Sequence, residues 1–215
     1  MRFADRTEAG TALGRVLATR LERVPDIVVL AIPRGGVVVG AEVARALDAP
    51  IDVVVPRKVR APWNPELGLG AIAPGVRVLD EDLIRRLHVT PDYLEREIAA
   101  EEREILRREH VYRDGRDAVP LKGRVVVVVD DGVATGGTAV ASLRWAFVQE
   151  PARVILAVPV APPQTVQRLA EEADDVVVLD TPEPFLAVGQ WYADFEQTTD
   201  DEVIQLLSGL ARSPA

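Results

Sequence analysis

The chain has 215 residues, a formal net charge of −9, 48% hydrophobic residues and no cysteine. That length and hydrophobic share suffice for one large domain with a buried core, and the lack of cysteine excludes disulfides, thiolate metal sites and a cysteine nucleophile. The acidic balance argues against nucleic-acid binding, no run is long and apolar enough to span a bilayer, and the charged N-terminus lacks a signal-peptide core, so a cytoplasmic protein without a membrane partner is expected.

Leucine and valine at helical spacing predict an amphipathic helix over Thr11–Arg23. Ile27–Ile32 (IVVLAI) reads as a buried strand, interrupted by PRGG at Pro33–Gly36, and Val37–Leu47 reads as a helix. Ile51–Val55 is the next strand. Arg57–Gly70 is rich in Pro and Gly and reads as a loop, followed by short strands near Gly70–Ala73 and Val76–Leu79. From Glu81 to Asp117 the chain is crowded with charge. Thr90 before Pro91 is a good N-cap and first-turn pair, and Tyr93, Leu94, Ile98, Ile105 and Leu106 can share one side of a long helix.

The second half alternates. Arg124–Val129, Arg153–Val160 and Asp175–Leu179 read as strands, and Gly137–Gln149 and Pro163–Ala173 as helices. Strands that are apolar throughout, rather than alternating, indicate a parallel sheet covered on both faces. The expected fold class is therefore α/β: a doubly wound, mainly parallel sheet flanked by helices. From Thr181 the alternation breaks into a loop-like stretch with clustered aromatics, then a helix near Asp200–Leu210.

The informative string is VVVVVDDGVATGGT, Val125–Thr138. In open α/β sheets ligands bind beyond the carboxyl ends of the strands, which is where Asp130 and Asp131 fall. The segment Gly132, Val133, Ala134, Thr135, Gly136, Gly137 and Thr138 then opens a helix, whose first amides have no intrahelical partner and suit a phosphate. A phosphate cradle beside two carboxylates suits a ligand with a phosphate at one end and a diol at the other, the shape of a ribose 5-phosphate. The Walker pattern requires a Lys before its final Ser/Thr, absent here. The dinucleotide fingerprint places its glycines directly after the strand, without an acidic pair.

This string resembles the phosphoribosyl-pyrophosphate (PRPP) signature of type I phosphoribosyltransferases, in its adenine-type form. The resemblance implies a parallel core over about residues 24–180, a helical insertion over about 81–118, and a small hood over about 181–215 with the N-terminal segment, in one domain spanning 1–215. It implies PRPP and a nucleobase-like acceptor as ligands, Mg²⁺ as cofactor, and a homodimer. Asp130 and Asp131 would bind the ribose hydroxyls and, directly or through water, the Mg²⁺. Residues 132–138 would bind the ribose 5-phosphate.

Other segments follow from the same resemblance. Arg34, Gly35 and Gly36 stand where the family keeps a pyrophosphate loop. Arg57 and Lys58 end the second strand, where they serve either pyrophosphate or the surface. Arg103, Arg107, Arg108 and Arg113 would approach a ligand if the charged insertion closed over it; singly they read as surface residues, as do His88 and His110. Phe185, Val188, Trp191, Tyr192 and Asp194 loosely resemble the family's base-clasping segment, with Val133 beside them; the aromatics either stack on a heterocycle or pack the C-terminal helix on the core. Oxopurine-using members carry an Asp where this chain has Ala134. Transfer from PRPP needs no side-chain nucleophile, and the sequence offers none. The alternative function is a regulatory protein that senses PRPP or a nucleotide without turnover.

Overall fold

The computed structural model describes residues 2–211. Five strands form the main sheet: β1 (Ile27–Ala31), β2 (Ile51–Val53), and further along the chain β6 (Val125–Val129), β7 (Arg153–Val160) and β8 (Asp175–Asp180). All pairings are parallel, in the order β2-β1-β6-β7-β8. The polyvaline strand β6 thus lies at the centre. Its residues alternate between two cores. Val127 and Val129 join Val29, Ala31, Ile155 and Ala157 beneath helices α1 (Arg6–Arg20) and α2 (Gly35–Leu47). Val126 and Val128 join Val28, Leu30, Val154 and Leu156 on the opposite face, beneath α5 (Gly137–Val148) and α6 (Pro163–Leu169). A strand buried on both sides can be apolar throughout, which accounts for the unbroken valine run.

Helix α1 begins earlier than its apolar spacing predicts. Asp5 is its N-cap, accepting from the Glu8 backbone N–H at 2.8 Å, and the Glu8 carboxylate reaches back to the Ala4 N–H. Glu8 thus reaches past the cap to the residue before it, a variant of the capping box, and the sequence Asp5-Arg6-Thr7-Glu8 has that motif's spacing.

The stretch Arg57–Gly70, expected to be a loop, is instead most of a hairpin. β3 (Arg57–Ala61) and β4 (Asn64–Ala73) pair antiparallel, and β5 (Val76–Leu79) completes a three-stranded sheet. Proline and glycine misled because they occupy special positions. Pro62 and Trp63 form the tip, the β3–β4 register shifts near Arg60, and Gly70 has φ +149° where a Cβ would lie 2.2 Å from the Val78 carbonyl.

The charged segment forms α3 (Glu81–Arg86) and the 23-residue α4 (Pro91–Arg113), with Thr90 capping α4 as expected. Ile98 and Ile105 are buried as anticipated, but Leu106 is 64% exposed. The packed face contains Glu101 and Tyr112 instead. Glu101 accepts from Arg57 Nε at 2.5 Å and from Arg60 Nη1 at 2.8 Å, binding α4 to β3. At the other end Arg113 donates to buried Asp52 of β2 at 3.0 Å and to the Val53 carbonyl at 3.2 Å. Arg116 then donates to the Leu207 carbonyl of α7 (Asp200–Ala211) at 2.8 Å. Helix α7 also packs against α2, with Val203 and Leu207 in the same core as β1.

The Arg113–Asp52 pair supplies a prediction. Removing one partner leaves a buried charge uncompensated. Arg113→Ala should lower the unfolding free energy by about 3 kcal/mol, read by urea denaturation; a change below about 1 kcal/mol would show that the pair behaves as a surface contact.

Candidate active site

The carboxyl end of the sheet gathers the predicted residues. Asp130 and Asp131 follow β6, both half-buried. PRGG follows β1, and the two turns press together. A Cβ on Gly36 would lie 2.9 Å from the Asp130 Cα, and one on Gly35 would lie 1.9 Å from an Asp131 carboxylate oxygen. Both glycines open α2 within van der Waals reach of the acidic pair, an approach that a side chain would block.

Asp131 is held from several directions. Arg6, from the first turn of α1, donates to its Oδ2 at 2.7 Å. Arg6 also lies over the Phe195 ring, 3.8 Å from the centroid, and donates to the Glu196 carbonyl. The Tyr192 hydroxyl donates to the Asp131 backbone carbonyl. Asp130 has less support: its side chain accepts the Asp131 N–H at 2.8 Å. Burial, and then repulsion from Asp131, raises the Asp130 carboxyl well above its ordinary range. Burial also raises the Asp131 carboxyl, against the pull of Arg6.

The loop after the pair has the features of an anion cradle. Gly132 has φ +157° and Gly136 has φ +77°, conformations that favour glycine. The N–H groups of Thr135 and Gly136 have no acceptor among the described residues. A Cβ on Gly137 would meet open space. The loop's carbonyls are engaged from behind: Thr165 Oγ1 donates to the Ala134 carbonyl at 2.7 Å, and Arg168 donates to the Thr135 carbonyl. Val133 is buried in the core, and its N–H donates to the Val160 carbonyl.

A cavity of about 850 Å³ opens beside this loop. It is lined by Ala134 and Thr135, by Thr165 and Arg168 of α6, and by Phe185 and Leu186. Of the residues expected to clasp a base outside the loop, Phe185 lines this cavity, with the Trp191 ring centroid 5.9 Å from its own. Val188, at the start of a 3-10 turn over Val188–Trp191, packs on Gly132. Tyr192 is buried against Phe3, and Asp194 caps a local turn by accepting the Glu196 N–H. The N-terminal strip and this segment are joined by backbone bonds from Phe3 to the Trp191 carbonyl and from Ala193 to the Phe3 carbonyl, both 2.8 Å.

The cations are distributed differently from the acidic pair. Arg34 lies 3.7 Å from Asp200 at the start of α7, where the Tyr112 hydroxyl also donates. Burial, reinforced by that bond, pushes the Tyr112 hydroxyl up to about 12. Arg57 is occupied by Glu101, while Lys58 is exposed. Arg107 and Arg108 both bond Glu104, Arg107 first in effect, and hold that carboxyl down at about 2. Arg113 is the structural clamp on Asp52. Arg103, His88 and His110 are not buried. Arg6, Thr165 and Arg168 have no counterpart in the sequence reading. The spacing of Asp5 and Glu8, a cap residue followed three positions later by an acid, signals that Arg6 sits in a first helical turn.

No group of three or more His, Cys, Asp or Glu able to hold a metal occurs among the described residues. The Asp130–Asp131 pair nevertheless offers the carboxylate oxygens that suit a hard divalent cation, and these two residues would hold one. Asp130, raised by burial and repulsion with no cation bonded to it, is the carboxylate such an ion would relieve.

The model of the phosphoribosyl transferase domain family matches residues 8–192. Two relatives from strains of Mycobacterium tuberculosis, each provisionally named a phosphoribosyl transferase, are 47% identical over 208 residues, 95% of this chain. The chain spans 46% of their length. The crystal structure of TT1426 from Thermus thermophilus matches with a TM-score of 0.81 at 46% identity, covering 98% of this chain and 99% of that one. The AQ2163 protein from Aquifex aeolicus, at 15% identity and a TM-score of 0.52 over 94% of this chain and 83% of that one, shares the fold.

The acidic pair makes stability pH-dependent in a defined direction. Below its ordinary value of 3.8, Asp130 is protonated in the folded and unfolded states alike. Above it the unfolded chain releases the proton while the folded chain retains it, so stability falls as pH rises until the folded value is passed. Asp130→Asn should therefore melt higher than the parent at pH 7, with the gap closing as pH falls to about 3; a gap that is absent or constant across that range would contradict the burial penalty.

Proposed function

The chain belongs to the phosphoribosyl transferase domain family, and on that premise we propose that it transfers the 5-phosphoribosyl group of PRPP to a nucleobase-like acceptor with release of pyrophosphate. The observation that carries this reading is the adjacency of two half-buried carboxylates to two unpartnered loop amides at the end of the central strand. One end of the site suits a diol and the other a phosphate. The cavity beside the loop, with Phe185 on one wall, is a reasonable place for a planar acceptor.

The residues take distinct tasks in this scheme. Asp130 and Asp131 accept hydrogen bonds from the ribose hydroxyls. The amides of Thr135 and Gly136, with the hydroxyls of Thr135 and Thr138, hold the 5-phosphate. Gly35 and Gly36 leave room for the leaving pyrophosphate close to the acidic pair, with Arg34 the nearest candidate cation. Arg34 must then exchange its contact with Asp200 for the ligand. Asp130 and Asp131 are the residues that would hold a Mg²⁺, directly or through water, and that ion would supply neutralisation of the departing pyrophosphate charge. Charge develops on the ribose as the bond to pyrophosphate lengthens, and a carboxylate at Asp131, fixed by Arg6, would stabilise that charge. The protein's contribution is orientation and electrostatics rather than covalent catalysis. Ala134, in place of the acid of oxopurine-using members, disfavours hypoxanthine and guanine as acceptors.

Calorimetric titration with PRPP, with and without Mg²⁺, followed by a pyrophosphate-release screen over bases, tests the reading. The expected outcome is Mg²⁺-dependent binding and release with one class of base. Asp130→Asn should weaken PRPP binding or turnover at least tenfold while melting no lower than the parent. Unchanged PRPP affinity in that variant would remove Asp130 from the site. Binding without release for any base would instead favour a sensor.

A further inference from the structure

Helix α6 stands behind the phosphate loop and holds two of its carbonyls. Thr165 Oγ1 bonds the Ala134 carbonyl at 2.7 Å and Arg168 bonds the Thr135 carbonyl. The same two side chains crowd Gly136 from that side, where a Cβ would lie 2.7 Å from an Arg168 nitrogen and 3.1 Å from the Thr165 methyl. The peptides joining Ala134 to Thr135 and Thr135 to Gly136 are trans, since the cis bonds among the described residues lie elsewhere. In a planar trans peptide the carbonyl and the following N–H point in opposite directions. A carbonyl drawn toward α6 therefore turns the Thr135 N–H away from α6, and the next carbonyl does the same for the Gly136 N–H. Both amides are without a partner among the described residues, as are those of Gly132, Ala134 and Gly137 in the same loop.

We propose that Thr165 and Arg168 are positioning residues that fix the peptide orientation of the phosphate loop, so that the Thr135 and Gly136 amides are aimed at a phosphate before one arrives. The inference rests on the reading of this loop as the 5-phosphate cradle. A glycine-rich loop has many accessible backbone conformations, and a flipped peptide would present a carbonyl oxygen to an anion. Two side-chain donors from a neighbouring helix remove that alternative in the free protein, which lowers the ordering cost of binding. The arrangement also gives Thr165 a role that depends on its hydroxyl rather than its volume. Arg168, exposed at the edge of the cavity, keeps its guanidinium charge close to the same loop.

The test is calorimetric titration of ribose 5-phosphate and of Mg²⁺-PRPP into the parent, Thr165→Val, Thr165→Ser and Arg168→Gln. Thr165→Val keeps the shape and removes the donor; Thr165→Ser keeps the donor; Arg168→Gln alters an exposed side chain without opening the core. The expected result is a loss of about fivefold or more in affinity for both ligands in Thr165→Val and Arg168→Gln, with Thr165→Ser binding within about twofold of the parent. Parent-like affinity in Thr165→Val and Arg168→Gln would overturn the positioning role and leave the cradle intact. Equal losses in Thr165→Ser and Thr165→Val would also overturn it, because the hydroxyl would then not be the operative group. A parent that binds neither ligand would remove the reading of the loop, and this inference with it.

Discussion

Two adjacent carboxylates at the mouth of a fully apolar strand repel each other and resist burial, and much of the surrounding structure manages that conflict. Asp131 is matched by Arg6, whose guanidinium is itself braced by Phe195 and the Glu196 carbonyl. Tyr192 fixes the backbone of the same residue. Gly35 and Gly36 leave their side-chain space to the pair. Asp130 is left with a backbone N–H and no cation, so its charge is the least satisfied in the site. Such an arrangement trades stability for readiness, since a carboxylate that is costly in the free protein is favourable once a ligand or metal meets it.

The conflict also bears on why the N-terminal strip and the segment after β8 come to the acidic pair. Arg6 lies in the first turn of α1, and Phe195 lies beyond the last strand. They meet because the strip around Phe3 and Ala4 is bonded to residues 191–194, with the Phe3 and Tyr192 rings 5.7 Å apart. The N-terminal strip and the aromatic segment therefore act together, while α7 packs separately on α2 and α4 as part of the core layer. The charged insertion has a similar logic. Arg107 and Arg108 are taken up by Glu104 of α4 itself and Arg113 by Asp52 of β2, while buried Glu101 draws two arginines from β3. Helix α4 is a brace between the two sheets, held by Glu101 to β3 and by Arg113 to β2.

Elements whose signals are local were legible. The strands of the parallel sheet, the Thr90 cap, and the acidic pair followed by a glycine-rich helix start all follow from short-range pattern. The failures share a cause. Arg57–Gly70 became strands because β5 and its own return strand supplied partners, and the proline and glycine fell at a tip and at a tight backbone approach. Leu106 is exposed because the buried face of α4 follows the seven-residue spacing of Ile98, Ile105 and Tyr112, with Glu101 on that face paired by two arginines.

The sequence by itself determined the α/β class, the strand that carries the site, the two carboxylates and the loop after them, because each depends on residues close along the chain. Only the tertiary structure decided which cation meets Asp131, which donors hold the glycine-rich loop, and which arginines are spent on structure. Arg6 and Asp131 are 125 positions apart, and Thr165 and Ala134 are 31 apart. A hydrogen bond requires a separation near 3 Å and a defined angle, and nothing in a run of neighbouring residues specifies which distant side chain the packing of helices on a sheet will bring within that reach.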